Sequence, residues 1–172
     1  WNGTGGWQGQ ADPRLSPVGE SLTTDAAARI PDGGRFELVV TSDLTRARRT
    51  ADLLAAAHRP SHHGGHRHRP RVLVEPGLRE LHVGQWSGLT RAEIERRWPA
   101  ELKLFDSGQL PAAPGGETRV DFDVRVRAAA DLIAGLIRRH GSPRTLIVTH
   151  GGVIRSLARQ AGLGERHVPN LA

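Results

Sequence analysis

Short apolar runs alternate with longer amphipathic segments along the 172 residues of the chain. The runs have the length of strands that are covered on both faces, and they lie at residues 35–42, 71–76 and 146–148. The amphipathic segments have apolar side chains at helical spacing, and the clearest lie at residues 18–30, 44–55, 117–140 and 151–158. This alternation predicts an α/β fold, a three-layer α/β/α sandwich with a mostly parallel sheet. Because no linker or internal repeat interrupts it, residues 1–172 are predicted to form a single domain.

The ends of two of these strands carry the residues that point to chemistry. The last strand is followed by His150, by Gly151 and by a new helix, and the strand at 35–42 leads to Arg46. Ligands of open α/β sheets bind at the carboxyl ends of the strands, and a helix N-terminus favours anions. Because both strands are expected to end at the same sheet edge, Arg46 is predicted to lie near His150. A guanidinium beside an imidazole fits a phosphate group.

Composition narrows the class of partner. The net charge is +6, which suits an anionic partner, and nucleic acid, anionic lipid and phosphorylated small molecules all fit that description. An arginine-heavy composition explains the charge equally well, since 23 of the 24 basic residues are arginine. The charges are scattered among acidic residues, and no apolar run approaches the roughly 18 residues of a membrane span. Four Trp, three Phe and no Tyr offer little stacking surface for nucleic acid. Together with the phosphate site predicted at the sheet edge, these observations lead us to expect a phosphorylated small molecule as the ligand, with neither nucleic acid nor membrane as a partner.

Five motifs occur in an order that resembles a known family. They are "WNGTGGWQGQADPRLSPVGE", "SDLTRARRTADLL", "LRELHVGQWSGL", "PGGET" and "VTHGGVIRSL". In this order they are similar to motifs of the histidine phosphatase superfamily, the phosphoglycerate mutase-like proteins, and the resemblance covers nearly the whole chain. It implies a phosphoglycerate mutase-like fold and phosphomonoester hydrolysis through a phosphohistidine, without a metal or dissociable cofactor, in the cytoplasm. The oligomeric state stays open, a homodimer being one alternative.

The resemblance also assigns roles to individual residues. Arg46 matches the arginine that clamps the phosphate, Glu80 matches the proton donor, and His150 matches a second histidine that donates to the phosphoryl oxygens. The positions that match phosphate-pocket residues of the family are Asn2, Gln8 and Gly151, the last through its backbone N–H. These assignments are implied by motif matching.

The family's nucleophile lies in an Arg-His-Gly motif at the end of its first strand. The chain begins at Trp1, and the same three letters at 139–141 have the wrong context, at the end of a predicted helix. We therefore expect the nucleophilic histidine upstream of residue 1, with the first and last strands of the family domain missing from the sequence.

Two alternatives use the same residues. One is a cofactor-dependent phosphoglycerate mutase, and the other is a catalytically inactive, phosphate-binding family member. Such mutases usually carry a longer insertion between the acid and the second histidine. The separation of only 70 positions (150 − 80) between Glu80 and His150 therefore favours a phosphatase.

A histidine-rich segment at 58–68 offers one more possibility. Its five imidazoles are capable of binding zinc or nickel opportunistically. A structural zinc site usually has fixed spacing and cysteine ligands, and the chain has no cysteine. A loop without a functional metal site is the prediction.

Overall fold

A computed structural model describes residues 5–30, 36–57, 70–141 and 144–163. The strands are short and all have four residues: β1 Leu38–Thr41, β2 Arg71–Val74 and β3 Thr145–Val148. The α-helices are α1 Pro17–Arg29, α2 Thr45–Ala57, α3 Arg91–Arg97, α4 Pro99–Asp106, α5 Arg119–His140 and α6 Gly151–Gln160. Two 3₁₀ turns lie between β2 and α3, at Pro76–Leu78 and Gly84–Trp86. None of the helices in the described ranges is both long and apolar enough to cross a membrane.

The three strands form one parallel sheet in the order β2-β1-β3. The predicted α/β class is confirmed, and the strand ends meet at one edge because Thr41 is in register with both Val74 and Val148. Only β1 is buried along its whole length. The expectation that the other two are covered on both faces was wrong: β2 is largely exposed and Ile147 of β3 is 41% exposed. Both flank β1, so each has one strand neighbour in the described sheet.

Helices cover both faces of β1, which produces the three layers. Leu38 and Val40 point to one face, where they pack in a cluster with Phe122, Val126, Ala129 and Ile133 of α5 and Val153 of α6. Val39 points to the other face and packs against Ala27 of α1 and Ala47, Ala51 and Leu54 of α2. The alternation along β1 therefore joins two helical layers through one strand.

A third apolar cluster supports the irregular segment between β2 and α5. Trp86 is fully buried in it, with its ring centroid 5.2 Å from that of Phe105 and 5.6 Å from that of Trp7. The backbone of Trp7 also bonds this segment, donating to Leu89 O at 2.9 Å and accepting from Gly88 N at 2.7 Å. The N-terminal segment is thus attached to the region that carries Glu80.

One predicted helix needs a correction of its boundary. The sequence predicts weak helices from about Thr90 to Phe105, and the structure has α3 and α4 there, because Pro99 cannot continue α3 and instead begins α4. The helix predicted from 117 begins at Arg119, because the side chain of Thr118 caps it by accepting from Asp121 N. The histidine-rich segment 58–68 and Asn2 lie outside the described residues. That residues 1–172 form a single domain stays a prediction.

The close approach of Gly84 to residues 114–116 gives a stability prediction. Gly84 has φ +51°, and a Cβ there would lie 2.1 Å from Pro114 O. Gly108 has φ +75° with nothing within 4 Å of a built Cβ, so Gly108→Ala is a matched control for left-handed strain alone. We expect Gly108→Ala to lower the free energy of unfolding by about 1 kcal/mol, and Gly84→Ala by at least about 2 kcal/mol more. Urea unfolding measures both, and equal losses would contradict the packing described here.

Candidate functional site

His150 occupies the junction between β3 and α6. It is the N-cap residue of α6, with extended backbone angles of φ −122° and ψ 158°, and it is only 8% exposed. Its Nε2 lies 3.0 Å from the Oγ of Ser42, the residue that follows β1. Burial, and then the positive charge of Arg46, lower the pKa of His150 from 6.5 to about 3. The imidazole is therefore neutral near pH 7.

Arg46 lies in the first turn of α2, next to the same sheet edge. Its guanidinium donates to two backbone carbonyls, from Nη1 to Ala11 O at 2.7 Å and from Nη2 to Gly9 O at 2.9 Å. Burial lowers the pKa of Arg46, while Glu80 and Asp12 oppose that shift. Arg46 is thus a partly buried cation within electrostatic reach of both Glu80 and His150, as the strand pattern predicted.

Asp12 fixes the start of α2 from a distant part of the chain. Its Oδ1 accepts from Thr45 N at 2.6 Å, and its Oδ2 accepts from Thr45 Oγ1 at 2.6 Å. A carboxylate on the first N–H groups of a helix satisfies donors that have no partner within the helix. Together with the carbonyl contacts of Arg46, this cap holds segment 9–12 over the carboxyl end of β1.

Glu80 reaches the first turn of α6 from the segment that follows β2. Its Oε2 accepts from Gly152 N at 3.0 Å, and its Oε1 accepts from Leu81 N at 2.8 Å. A Cβ on Gly152 would lie 2.0 Å from Oε1, so the carboxylate comes this close only because residue 152 is glycine. Gly151 is the first residue of α6, but the α6 amide that contacts Glu80 is that of Gly152.

A partly buried ion pair braces the segment that carries Glu80. Arg125 of α5 pairs with Glu117 at 2.8 Å and donates to the carbonyls of Gly77 at 2.7 Å and Arg79 at 3.1 Å. Glu117 N in turn donates to His82 O at 2.8 Å. Arg125 of α5 therefore fixes the backbone before Glu80 through charge-assisted hydrogen bonds, and Glu117, which precedes the helix, fixes the backbone after it.

Three of these supporting residues were not predicted from the sequence. Ser42 ends the predicted strand at 35–42, and that position was the signal that could have identified it. Glu117 belongs to the "PGGET" motif, so the motif pointed to this residue. The motif does not show that the partner of Glu117 is Arg125. Nothing in the spacing of α5 distinguishes Arg125 from the helix's exposed arginines, because its role depends on a tertiary contact.

The remaining predicted site residues are only partly placed. Gln8 is partly buried in the segment that Arg46 holds, and its carbonyl accepts from Ala11 N at 2.9 Å. Asn2 lies outside the described residues. Within the described ranges, no group of three His, Asp or Glu side chains is close enough together to hold a metal ion.

A surface cleft near the site is a separate feature. It has a volume of about 620 Å³ and is lined by residues that include Gln10, Arg79, His82 and Arg125. Gln10 Nε2 donates to Glu80 O at 3.1 Å, so this cleft adjoins the backbone of Glu80. Neither His150 nor Arg46 lines it, and the candidate site is therefore defined by its chemistry rather than by this cleft.

Comparisons with known proteins agree with the motifs. A family model described as the histidine phosphatase superfamily (branch 1) matches residues 1–170. The metal-independent phosphoserine phosphatase of Arabidopsis thaliana is 33% identical over 159 residues, which cover 91% of this chain and 62% of that protein. Phosphoglycerate mutase-like protein 4 of the same plant is 32% identical, over 99% of this chain and 70% of that protein. The chain therefore spans less than two thirds of the phosphoserine phosphatase.

A solved structure shares the fold. The native mycobacterial glucosyl-3-phosphoglycerate phosphatase has a TM-score of 0.74 and 31% sequence identity, covering 93% of this chain and 74% of that one. This similarity agrees with the three-layer architecture and the parallel sheet described above.

The low pKa of His150 predicts how stability depends on pH. The unfolded chain binds a proton at His150 below about pH 6.5, whereas the folded chain does so only near pH 3. Stability therefore falls as pH falls below about 6.5, with a slope of up to about 1.4 kcal/mol per pH unit from this residue. Urea unfolding of the wild type and of His150→Gln between about pH 5 and pH 7.5 isolates the effect. Parallel pH profiles would contradict the burial of a neutral imidazole.

Proposed function

The chain belongs to the histidine phosphatase superfamily, and on that premise we propose that it hydrolyses phosphomonoesters of small molecules through a phosphohistidine intermediate. One observation carries the proposal: a cation, a carboxylate and a buried neutral imidazole converge at the carboxyl edge of the sheet. Arg46, Glu80 and His150 come from three distant segments, and the first turn of α6 lies beside them. An arginine fork, an imidazole N–H and helix N–H groups are donors that suit a phosphoryl group.

Arg46 and His150 stabilise charge on the transferring phosphoryl group in this proposal. Arg46 keeps its positive charge despite partial burial, and it faces the developing negative charge on the phosphoryl oxygens. Neutral His150 donates one N–H to the same oxygens. Because these donors are already fixed by the backbone and by Ser42, little reorganisation is needed when the transition state forms.

Glu80 is the proposed general acid. Both of its oxygens accept backbone N–H bonds, so a protonated Glu80 must release one of them and turn that oxygen toward the leaving group. As the P–O bond breaks, the proton moves to the leaving oxygen. In the second half-reaction the Glu80 carboxylate takes a proton from water, whose oxygen attacks phosphorus and frees the histidine.

The attacking imidazole belongs to a histidine other than His150, as the resemblance implies. His150 is hydrogen-bonded to Ser42 and serves as a donor, so the bond to phosphorus has to form on another nitrogen. Gln8, Asn2 and the Gly151 N–H are proposed to line the phosphate pocket.

The names of the relatives support a class of substrate. One acts on phosphoserine and another on glucosyl-3-phosphoglycerate, as their names say, and both are phosphorylated small molecules. A phosphoglycerate mutase is the second candidate, because a mutase-like relative matches 99% of this chain. The proposed location is the cytoplasm, and the oligomeric state stays open, with a homodimer as one alternative.

The activity proposal is tested by phosphate release from phosphoserine, glucosyl-3-phosphoglycerate and 3-phosphoglycerate. Arg46→Ala and His150→Gln are each expected to lower kcat/KM by roughly 10²- to 10³-fold, because each removes a donor to the transition state. Arg49→Ala is the matched control, since Arg49 lies on the same helix but pairs with Glu20 at the surface.

Three outcomes would contradict the activity proposal. Near-native turnover by both Arg46→Ala and His150→Gln would show that neither residue belongs to the phosphoryl site. Isomerisation of 3-phosphoglycerate primed by 2,3-bisphosphoglycerate, if faster than phosphate release, would favour the mutase. Binding of vanadate by a wild-type protein that turns over none of these substrates would indicate a phosphate-binding module.

The role of Glu80 predicts a dependence on the leaving group. Glu80→Gln keeps the shape of the side chain but cannot donate a proton, so turnover of phosphoserine should fall roughly 10²- to 10⁴-fold. Turnover of p-nitrophenyl phosphate should fall much less, because its leaving group departs without protonation. Glu75→Gln is the control, since Glu75 accepts from Gly77 N in the neighbouring turn. Equal losses with both substrates would exclude Glu80 as the acid.

A further inference from the structure

Ser42 and His150 form a buried polar pair across the ends of β1 and β3. Ser42 is 0% exposed, His150 is 8% exposed, and Ser42 Oγ lies 3.0 Å from His150 Nε2. The register of the sheet imposes this proximity, since Thr41 is paired with Val148 and Ser42 N donates to Val148 O at 3.1 Å. Either group is able to donate in an imidazole–hydroxyl pair, so the direction of the bond must be derived from the surroundings.

The surroundings of Ser42 decide that direction. Its Oγ already accepts from Leu44 N at 3.3 Å. Its own O–H is a buried donor, and within the described ranges His150 Nε2 is the acceptor that it reaches. A buried donor without an acceptor loses roughly 1 to 3 kcal/mol. Donation from Ser42 to Nε2 satisfies both groups, whereas the reverse direction leaves the hydroxyl hydrogen without an acceptor.

The direction of this bond fixes the tautomer of His150. With Nε2 as the acceptor, the single proton of the neutral ring resides on Nδ1. Within the described ranges, no residue hydrogen-bonds Nδ1. In those ranges, the polar side-chain atoms that have neither solvent contact nor a hydrogen-bond partner are Trp86 Nε1 and Thr145 Oγ1. Nδ1 of His150 is not one of them, so it keeps contact with solvent. The Nδ1–H is therefore a donor that no described residue occupies.

We propose that Ser42 is a positioning residue that holds His150 as the Nδ1–H tautomer, so that Nδ1–H is the bond donated to a phosphoryl oxygen. This inference rests on the proposed function for its catalytic consequence, but the tautomer itself does not depend on activity. Without the hydroxyl, Nε2 loses its donor and the ring is free to place the proton on either nitrogen or to rotate. A ring with Nδ1 unprotonated would direct a lone pair at the anion and repel it.

The tautomer is measured by nitrogen NMR of the protein labelled with ¹⁵N-histidine, at about pH 7. The His150 signals are assigned by their loss in His150→Gln. In the wild type, we expect Nδ1 to resonate as a protonated nitrogen and Nε2 as an unprotonated one. In Ser42→Ala, we expect an averaged or reversed pattern and a roughly 10- to 100-fold lower kcat, because the donor is no longer fixed.

Ser156→Ala is the matched control. Ser156 is also 0% exposed, and its hydroxyl donates to Asp123 on α5, away from His150. This variant loses a comparable buried hydrogen bond, so it should keep both the His150 tautomer and kcat. The comparison separates a general loss of packing from an effect on the imidazole.

The outcomes distinguish this inference from the proposed function. A protonated Nε2 in the wild-type spectrum would overturn the inference even if Ser42→Ala failed to fold. So would an unchanged tautomer in a folded Ser42→Ala. If the wild type shows the Nδ1–H tautomer and releases no phosphate, the Ser42 assignment stands for the ring and the proposed function fails.

Discussion

The parallel pairing of β1 with β3 is the constraint on which the candidate site depends. Thr41 and Val148 end their strands in register, so the residues that follow them emerge side by side at one edge. Ser42 and His150 meet there because β1 is buried between two neighbouring strands and two helical layers. A slip of one residue would turn Val39 and Val40 to the wrong faces of the sheet and would separate the pair.

The other parts of the site are attached to this edge by hydrogen bonds to the backbone. Arg46 holds the carbonyls of Gly9 and Ala11, and Glu80 accepts from the amide of Gly152. These contacts join segments that are far apart in sequence. The charged groups of the site also affect one another. Arg46 helps to keep the pKa of His150 low, and Glu80 raises the pKa of Arg46 against the effect of burial. The site thus combines one fixed cation with one neutral donor.

The sequence predicts the residues at the carboxyl edge of the sheet more completely than it predicts the contacts that support them. The apolar runs and helical spacing located β1, β3 and the helix after His150, because strand and helix periods differ strongly. From that alternation alone, Arg46 was placed near His150. The partners of Arg125 and the direction of the Ser42 hydrogen bond depend on contacts between distant segments, for which a single sequence carries no periodic signal. Exposure of β2 and β3 was also missed, since apolar composition does not reveal how many neighbours a strand has.

The most direct test of the account is a crystal structure of the protein with bound vanadate. We expect the anion at the carboxyl edge of the sheet, within hydrogen-bond distance of the Arg46 guanidinium and of His150 Nδ1, with Glu80 beside it. Vanadate bound in the cleft between Arg79 and Arg125, with none at Arg46 and His150, would contradict the central claim that these two residues form the phosphoryl site.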